Sequence, residues 1–147
     1  MNDTRIATGG CMCGSIRFQM TGTPHLVEYC HCHSCRKAVG APLMAWAGIA
    51  VGQFIITRGD PARFSSSPGV DRTFCTQCGT SLTIFSEEFP EEIYVAVSAL
   101  DEPDSTQPEI HIWRAHRLPW LETADDLPRY VRFKSDGELE RKQKCWT

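Results

Sequence analysis

At 147 residues, with a formal charge of −3 and a pI near 5.9, the chain is long enough to bury one core and carries no basic stripe of the kind that tracks nucleic acid. No apolar run approaches the roughly 20 residues of a membrane-spanning helix. The first ten residues are polar and lack the apolar segment of a secretory leader.

The predicted elements are short and mostly extended. Residues 15–21 alternate, with Ile16, Phe18 and Met20 on one face and Arg17 and Gln19 on the other, the pattern of a half-buried strand. Gly22-Thr23-Pro24 turns the chain into a second strand over residues 25–29. One helical turn is expected over 36–40, ended by Gly40. Strands follow over 43–49, which contains Trp46, and over 54–57. Turns at 58–61 and 67–69 flank a weaker strand over 62–66, and residues 71–74 lead into a cysteine pair. Residues 81–85 and 93–97 are further strands separated by an acidic loop. Residues 100–108 are rich in turn formers, and 109–113 form a short strand. With no long amphipathic helix, this spacing predicts an all-β domain with short helical turns. The domain is placed at residues 5–133, and the charged stretch 134–147 is expected to form a loosely packed tail.

Seven of the eight cysteines fall in three clusters: Cys11 and Cys13, then Cys30, Cys32 and Cys35, then Cys75 and Cys78. Such close spacings are strained for disulfides and natural for metal chelation, so the thiols are expected to be kept reduced, as in the cytoplasm. Gly79 follows the last pair where a metal knuckle needs a positive φ. Zinc is the metal that best suits thiolates without redox change; an iron–sulfur cluster is the runner-up, although the spacings do not match the ferredoxin patterns. A thioredoxin-like role for Cys32 and Cys35, or for Cys75 and Cys78, lacks the βαβ setting it requires.

Seven thiolates fill one closed four-ligand site and leave three for an open one. Spacing permits two partitions. In one, Cys11, Cys13, Cys75 and Cys78 form the closed site; in the other, Cys32, Cys35, Cys75 and Cys78 do so as in a zinc ribbon, across a loop much longer than usual. Three thiolates around zinc leave a net charge of about −1 and blunt its Lewis acidity, which suits holding an incoming thiol better than activating water. His31 and His33 alternate with Cys30 and Cys32 if the segment is extended, which makes them surface groups or groups behind the ligands. Arg36 and Lys37 either offset thiolate charge and attract an acidic substrate or belong to a solvated turn. The pairs Glu87-Glu88 and Glu91-Glu92 read as a solvated loop, and Trp120 after Pro119 as an aromatic anchor.

The motifs GGC-x-CG at Cys11–Cys13, CHC-x-x-CRK at Cys30–Cys35, FC-x-x-CGTSL at Cys75–Cys78, then His111-Ile112-Trp113 and Pro119-Trp120, resemble the glutathione-dependent formaldehyde-activating enzyme family over residues 9–120. The resemblance implies a zinc-stabilised β-tent fold. It also implies a structural zinc held by Cys11, Cys13, Cys75 and Cys78, and a second, catalytic zinc held by Cys30, Cys32 and Cys35. The implied activity is that of a carbon–sulfur lyase, with glutathione and formaldehyde forming S-hydroxymethylglutathione. His111 and Trp113 either line the pocket near the second zinc or serve packing. Cys145 has no counterpart in the family pattern and reads as a free thiol. No general acid or base is identified. The competing readings are a non-enzymatic zinc-binding domain for protein interaction, with a protein side chain closing the second site, and a redox sensor that releases metal on oxidation.

Overall fold

The computed structural model describes residues 5–140. Its ten strands and single helix form a mainly β fold with short 3₁₀ turns, as the strand spacing predicts. A three-stranded antiparallel sheet contains β1 (Ile6–Gly10), β2 (Arg17–Thr21) and β5 (Phe54–Arg58), in the order β1-β2-β5. A seven-stranded sheet contains β3 (Leu26–Cys30), β4 (Met44–Ala50), β6 (Ala62–Ser67), β7 (Val70–Phe74), β8 (Ser81–Ser86), β9 (Glu92–Ala96) and β10 (Ile110–Ile112). Its order is β10-β3-β4-β9-β8-β7-β6, with β10 parallel to β3 and every other pair antiparallel.

The period-two pattern of β2 works as read: Phe18 and Met20 are fully buried, whereas Arg17 turns outward to bond Asp101. β1 carries too few apolar residues to show the same signal. It forms because its backbone pairs with all of β2 and Gly9 also bridges Leu100. One core cluster takes Phe18 and Met20 from the small sheet and Trp46, Ile49, Leu82 and Val95 from the large one.

Three local expectations are corrected. The helical turn is α1 (His33–Val39), which starts inside the central cysteine cluster. The Cys32 side chain accepts from the Cys35 N–H as its N-cap, and Gly40 closes it at φ 65°. The segment after Cys30 is therefore not extended through His33. Trp120, expected to anchor, is 69% exposed. The stretch set apart as a tail is held against the body as far as Glu140. Tyr130 bridges Leu139, and Glu140 accepts from Arg114 at 2.9 Å and pairs with Arg117 at 3.2 Å. Cys145 lies outside the described residues.

The close approach of β1 to the 97–99 turn yields a test. A Cβ at Gly9 would run into the Ala99 carbonyl oxygen and the Phe18 ring, whereas one at Gly52 meets nothing within 4 Å. Gly9→Ala should cost about 1–3 kcal/mol in chemical denaturation, with Gly52→Ala near neutral; equal effects would contradict this packing.

Candidate metal centres and the cavity beside them

The first cluster is built from two matching turns. After β1, Cys11 N–H donates to the Ile16 carbonyl and Gly14 N–H to the Cys11 carbonyl, at 3.1 and 3.0 Å. After β7, Cys75 N–H donates to the Thr80 carbonyl and Gly79 N–H to the Cys75 carbonyl, at 3.0 and 2.9 Å. Gly14 and Gly79 hold φ 78° and 77°, a conformation glycine adopts without strain. These turns bring the Sγ atoms of Cys11, Cys13, Cys75 and Cys78 within 4.8 Å of one another. Because β1 and β7 lie in different sheets, the cluster joins the two sheets. The 3.5 Å separation of Cys11 and Cys13 sulfurs and the 3.8 Å of Cys13 and Cys75 match the sulfur–sulfur edge of about 3.8 Å in a tetrahedron with 2.3 Å zinc–sulfur bonds.

Hydroxyls support the sulfurs. Ser15 Oγ lies 3.1–3.6 Å from those of Cys11, Cys13 and Cys75, and Thr80 Oγ1 lies 3.2 Å from Cys78. Burial pushes the Cys11 thiol up, but the Ile16 N–H and the neighbouring Ser15 and Cys groups outweigh it and bring it to about 7. The donor set fits a tetrahedral soft metal.

The second cluster gathers Cys30 at the end of β3, Cys32 at the helix cap and Cys35 in the first helical turn. Their sulfurs lie within 4.8 Å of one another, and among the described residues no fourth histidine, cysteine or carboxylate joins them. Hydrogen bonds from Cys30 and Cys35 hold the Cys32 thiol down to about 2, and the bonds of Cys30 with Cys32 and Cys35 push Cys30 well above its ordinary value. Without a cation, three thiols this close share one charge; a divalent metal lets all three ionise, so these residues also fit a metal.

Sequence reasoning overlooked Arg72. It reaches from β7 with its guanidinium nitrogens 3.6 and 3.7 Å from Cys35 Sγ, and its Nε donates to Ser66 Oγ. It is only 9% exposed, so its charge acts on the sulfurs through protein more than water. Arg36, the cation that sequence placed beside the cluster, instead staples the loop. It donates to the His31 and His116 carbonyls at 3.1 and 3.0 Å and contacts His33 Nδ1 at 2.7 Å.

The second cluster opens into a cavity of about 820 Å³, within the range of small-ligand sites. Cys30, Cys32 and Cys35 line it together with Trp46, Ile84 and Tyr94 of the large sheet, and Trp113, His116 and Phe133 form another wall. Trp113 holds φ 56°, the one positive φ outside glycine among the described residues, at the step where β10 breaks into a 3₁₀ turn. It is held there by its N–H on the Arg132 carbonyl, by edge contact with Phe133 and by Arg132 over its ring at 4.9 Å.

The expected pairing of His111 with Trp113 on one strand face thus divides. Trp113 lines the cavity, whereas His111 is fully buried beside His31. His31 is likewise fully buried, while His33 lines the cavity and stacks on His116 at 4.3 Å. Glu92, read from sequence as a solvated loop residue, starts β9 and lines the cavity. It accepts from Tyr94 Oη at 2.6 Å and pairs with His25 at 3.2 Å. Glu28 also lines the cavity; burial and then the charge of Glu92 push its carboxyl up to about 7.

Behind the cluster, His31 Nε2 lies 2.9 Å from His111 Nδ1, and His111 Nε2 lies 3.1 Å from both oxygens of Asp125. Burial opposes Asp125 ionisation, yet Thr123, the Leu127 N–H and His111 outweigh it and hold the carboxyl near 2. An ionised Asp125 fixes the His111 proton on Nε2, leaving Nδ1 to accept from His31 Nε2–H. The chain ties the central cysteine loop to the segment after β10.

With this geometry in place, the fold and site define a mainly β protein with two cysteine clusters able to hold metal, one beside a ligand-sized cavity. The family model described as glutathione-dependent formaldehyde-activating enzyme matches residues 6–116, and the chain belongs to that family. A Halomonas elongata protein named for the same family is 29% identical over 126 residues, covering 78% of each chain. An uncharacterized lyase of Schizosaccharomyces pombe is 28% identical over 74 residues, half of this chain and 53% of the yeast protein. A crystal structure of a Rhodobacter sphaeroides protein shares the fold with a TM-score of 0.54 at 21% identity, covering 69% of this chain and 96% of that one.

Burial, and then the charge of Arg114, press the His31 pKa down to about 3, against an ordinary value of 6.5. The unfolded chain therefore takes up a proton near pH 6.5 that the folded chain refuses until about pH 3. The stability contribution of neutral His31 is full above pH 6.5 and is lost progressively on acidification toward pH 3. In NMR titration the His31 ring should remain neutral at pH 5; a midpoint near 6.5 would contradict this burial.

Proposed function

We propose that the chain is a zinc-dependent enzyme of the carbon–sulfur lyase type, acting on the adduct of a small thiol, such as glutathione, with an aldehyde such as formaldehyde. The observation that carries this reading is the three-thiol cluster of Cys30, Cys32 and Cys35 opening into the 820 Å³ cavity with no fourth donor of its kind among the described residues. Family membership and the lyase relative point the same way. In this reading Cys30, Cys32 and Cys35 hold the second zinc, and Cys11, Cys13, Cys75 and Cys78 hold the structural one.

A zinc ion with an open position supplies a place where a thiol is held as thiolate. In the synthetic direction the substrate sulfur forms a bond to the aldehyde carbon, the carbonyl π pair moves to oxygen, and the oxygen takes up the proton the thiol gave up. The reverse breaks that carbon–sulfur bond and returns thiol and aldehyde.

The chain's own residues set the conditions. Arg72 lies against Cys35 and offsets the excess negative charge of three thiolates, which favours approach of another sulfur anion. Trp113, His116 and Phe133 give the cavity an aromatic wall against which a ligand can pack. The helix cap made by Cys32 and the Arg36 staple fix the cysteine loop before a ligand arrives. Seven free thiols in such a constellation suit a reducing compartment such as the cytoplasm.

Metal analysis of purified variants tests the division of labour. Cys35→Ser should lose about half of the bound zinc and all adduct formation while keeping its fold, because three ligands become two at one site only. Cys75→Ser should fail to fold stably, because metal binding there is folding free energy. A Cys35→Ser protein with full zinc and full activity would sink the assignment.

Arg72→Met keeps an unbranched apolar stem and removes the charge. It should weaken zinc at the second site by about 10–100-fold in competition with a chelator, leaving the first site unchanged. Unchanged affinity at both sites would mean that Arg72 does not tune the cluster.

A further inference from the structure

The floor of the cavity contains a buried donor that is without a partner among the described residues, beside a carboxyl side chain that lines the cavity. Glu28 on β3 and Trp46 on β4 are directly opposed in the antiparallel register, and both line the cavity. Directly paired residues share a sheet face, and Cys30 lies two residues beyond Glu28 on that same face. Trp46 is 2% exposed, and its indole Nε1–H is fully buried with no hydrogen-bond partner. Glu28 is 8% exposed; no hydrogen bond or ion pair engages its carboxyl among the described residues, and its oxygens, unlike the indole N–H, are not fully enclosed. The neighbouring polar groups are already engaged with one another, Tyr94 and His25 both bonding Glu92. Buried polar groups are normally satisfied, so an unpartnered indole N–H on a residue that lines a ligand cavity, with a free acceptor on the residue opposed to it, points to a ligand group that bonds both.

The chemistry of the pair selects that group. A carboxylate has no proton to give the Glu28 oxygens, and an ammonium would leave the indole N–H unpartnered. A hydroxyl accepts and donates at one atom. The adduct of a thiol with an aldehyde carries its hydroxyl on the carbon bonded to sulfur, beside the sulfur that the cluster would hold. We propose that Glu28 and Trp46 form a hydroxyl subsite, in which Trp46 Nε1–H donates to the hydroxyl oxygen of a thiol–aldehyde adduct and a Glu28 carboxyl oxygen accepts from its O–H. This rests on the reading of the site as a thiol-adduct centre, and assigns two residues that recognise the adduct over its bare thioether.

Calorimetric titration of the zinc-loaded full chain separates the possibilities. The ligands are S-hydroxymethylglutathione, formed from glutathione with formaldehyde, and S-methylglutathione, which lacks the hydroxyl. Trp46→Phe retains a ring and removes the N–H, and Glu28→Leu retains an apolar stem and removes the acceptor. Each should weaken the hydroxymethyl ligand by about 10-fold and change the methyl ligand by less than about twofold, the loss of roughly one hydrogen bond. Equal weakening of both ligands, or no change in either, overturns the subsite while leaving the thiol-adduct reading standing. Failure of the parent protein to bind either ligand overturns both. Should Trp46→Phe fail to fold, Glu28→Leu decides the matter alone.

Discussion

Four sulfurs drawn together from two sheets are the constraint on which the rest of the molecule depends. Cys11 and Cys13 come from the turn after β1, and Cys75 and Cys78 from the turn after β7. Thiolates at that separation repel unless a cation is shared among them, so the proposed zinc turns a repulsive contact between the sheets into an attractive one. The matching carbonyl–amide bonds and the two positive-φ glycines make each turn presentable before the sheets meet.

β7 carries that constraint to the second cluster. One end of the strand leads into Cys75, while Arg72 within it extends to Cys35. Ser81 Oγ, at the start of β8, donates to the Ala38 carbonyl and ties α1 to the same hairpin. Each cluster is local in its cysteine turns and non-local in its support. The division of roles proposed for them follows from this: one set of sulfurs spans the interior joint, and the other stands at a cavity wall with a single cation behind it.

The segment after β10 completes the site from the other side. The strained backbone of Trp113 turns its ring to the cavity, and the 129–140 stretch packs back through Tyr130, Phe133 and Glu140. Asp125 reaches inward through His111 to His31, between Cys30 and Cys32. A chain of neutral imidazoles anchored by one ionised carboxylate holds the cysteine loop without placing a charge in the core. Strain at Trp113 persists because hydrogen bonding, ring packing and a cation on its face all hold the same conformation.

The sequence by itself determined what is local. The alternation in β2, the glycine-ended cysteine turns and the strand-after-strand spacing fix short elements and ligand types through nearest-neighbour sterics and side-chain chemistry. It also carried the family, because the cysteine motifs stand in an order and context that resemble the family's, over the stretch its model matches. Only the tertiary structure decided which sulfurs meet, since cluster spacing along the chain leaves two partitions open and the pairing of the two turns is made by sheets far apart in sequence. It likewise decided that Arg72 rather than Arg36 faces the sulfurs, that Glu92 is a cavity residue, and that Glu28 and Trp46 stand opposed at the cavity. Register and burial set these outcomes. A residue's own type and neighbours contain no information about which distant strand will lie beside it, and that neighbour decides whether a charge is solvated, paired or left facing a ligand.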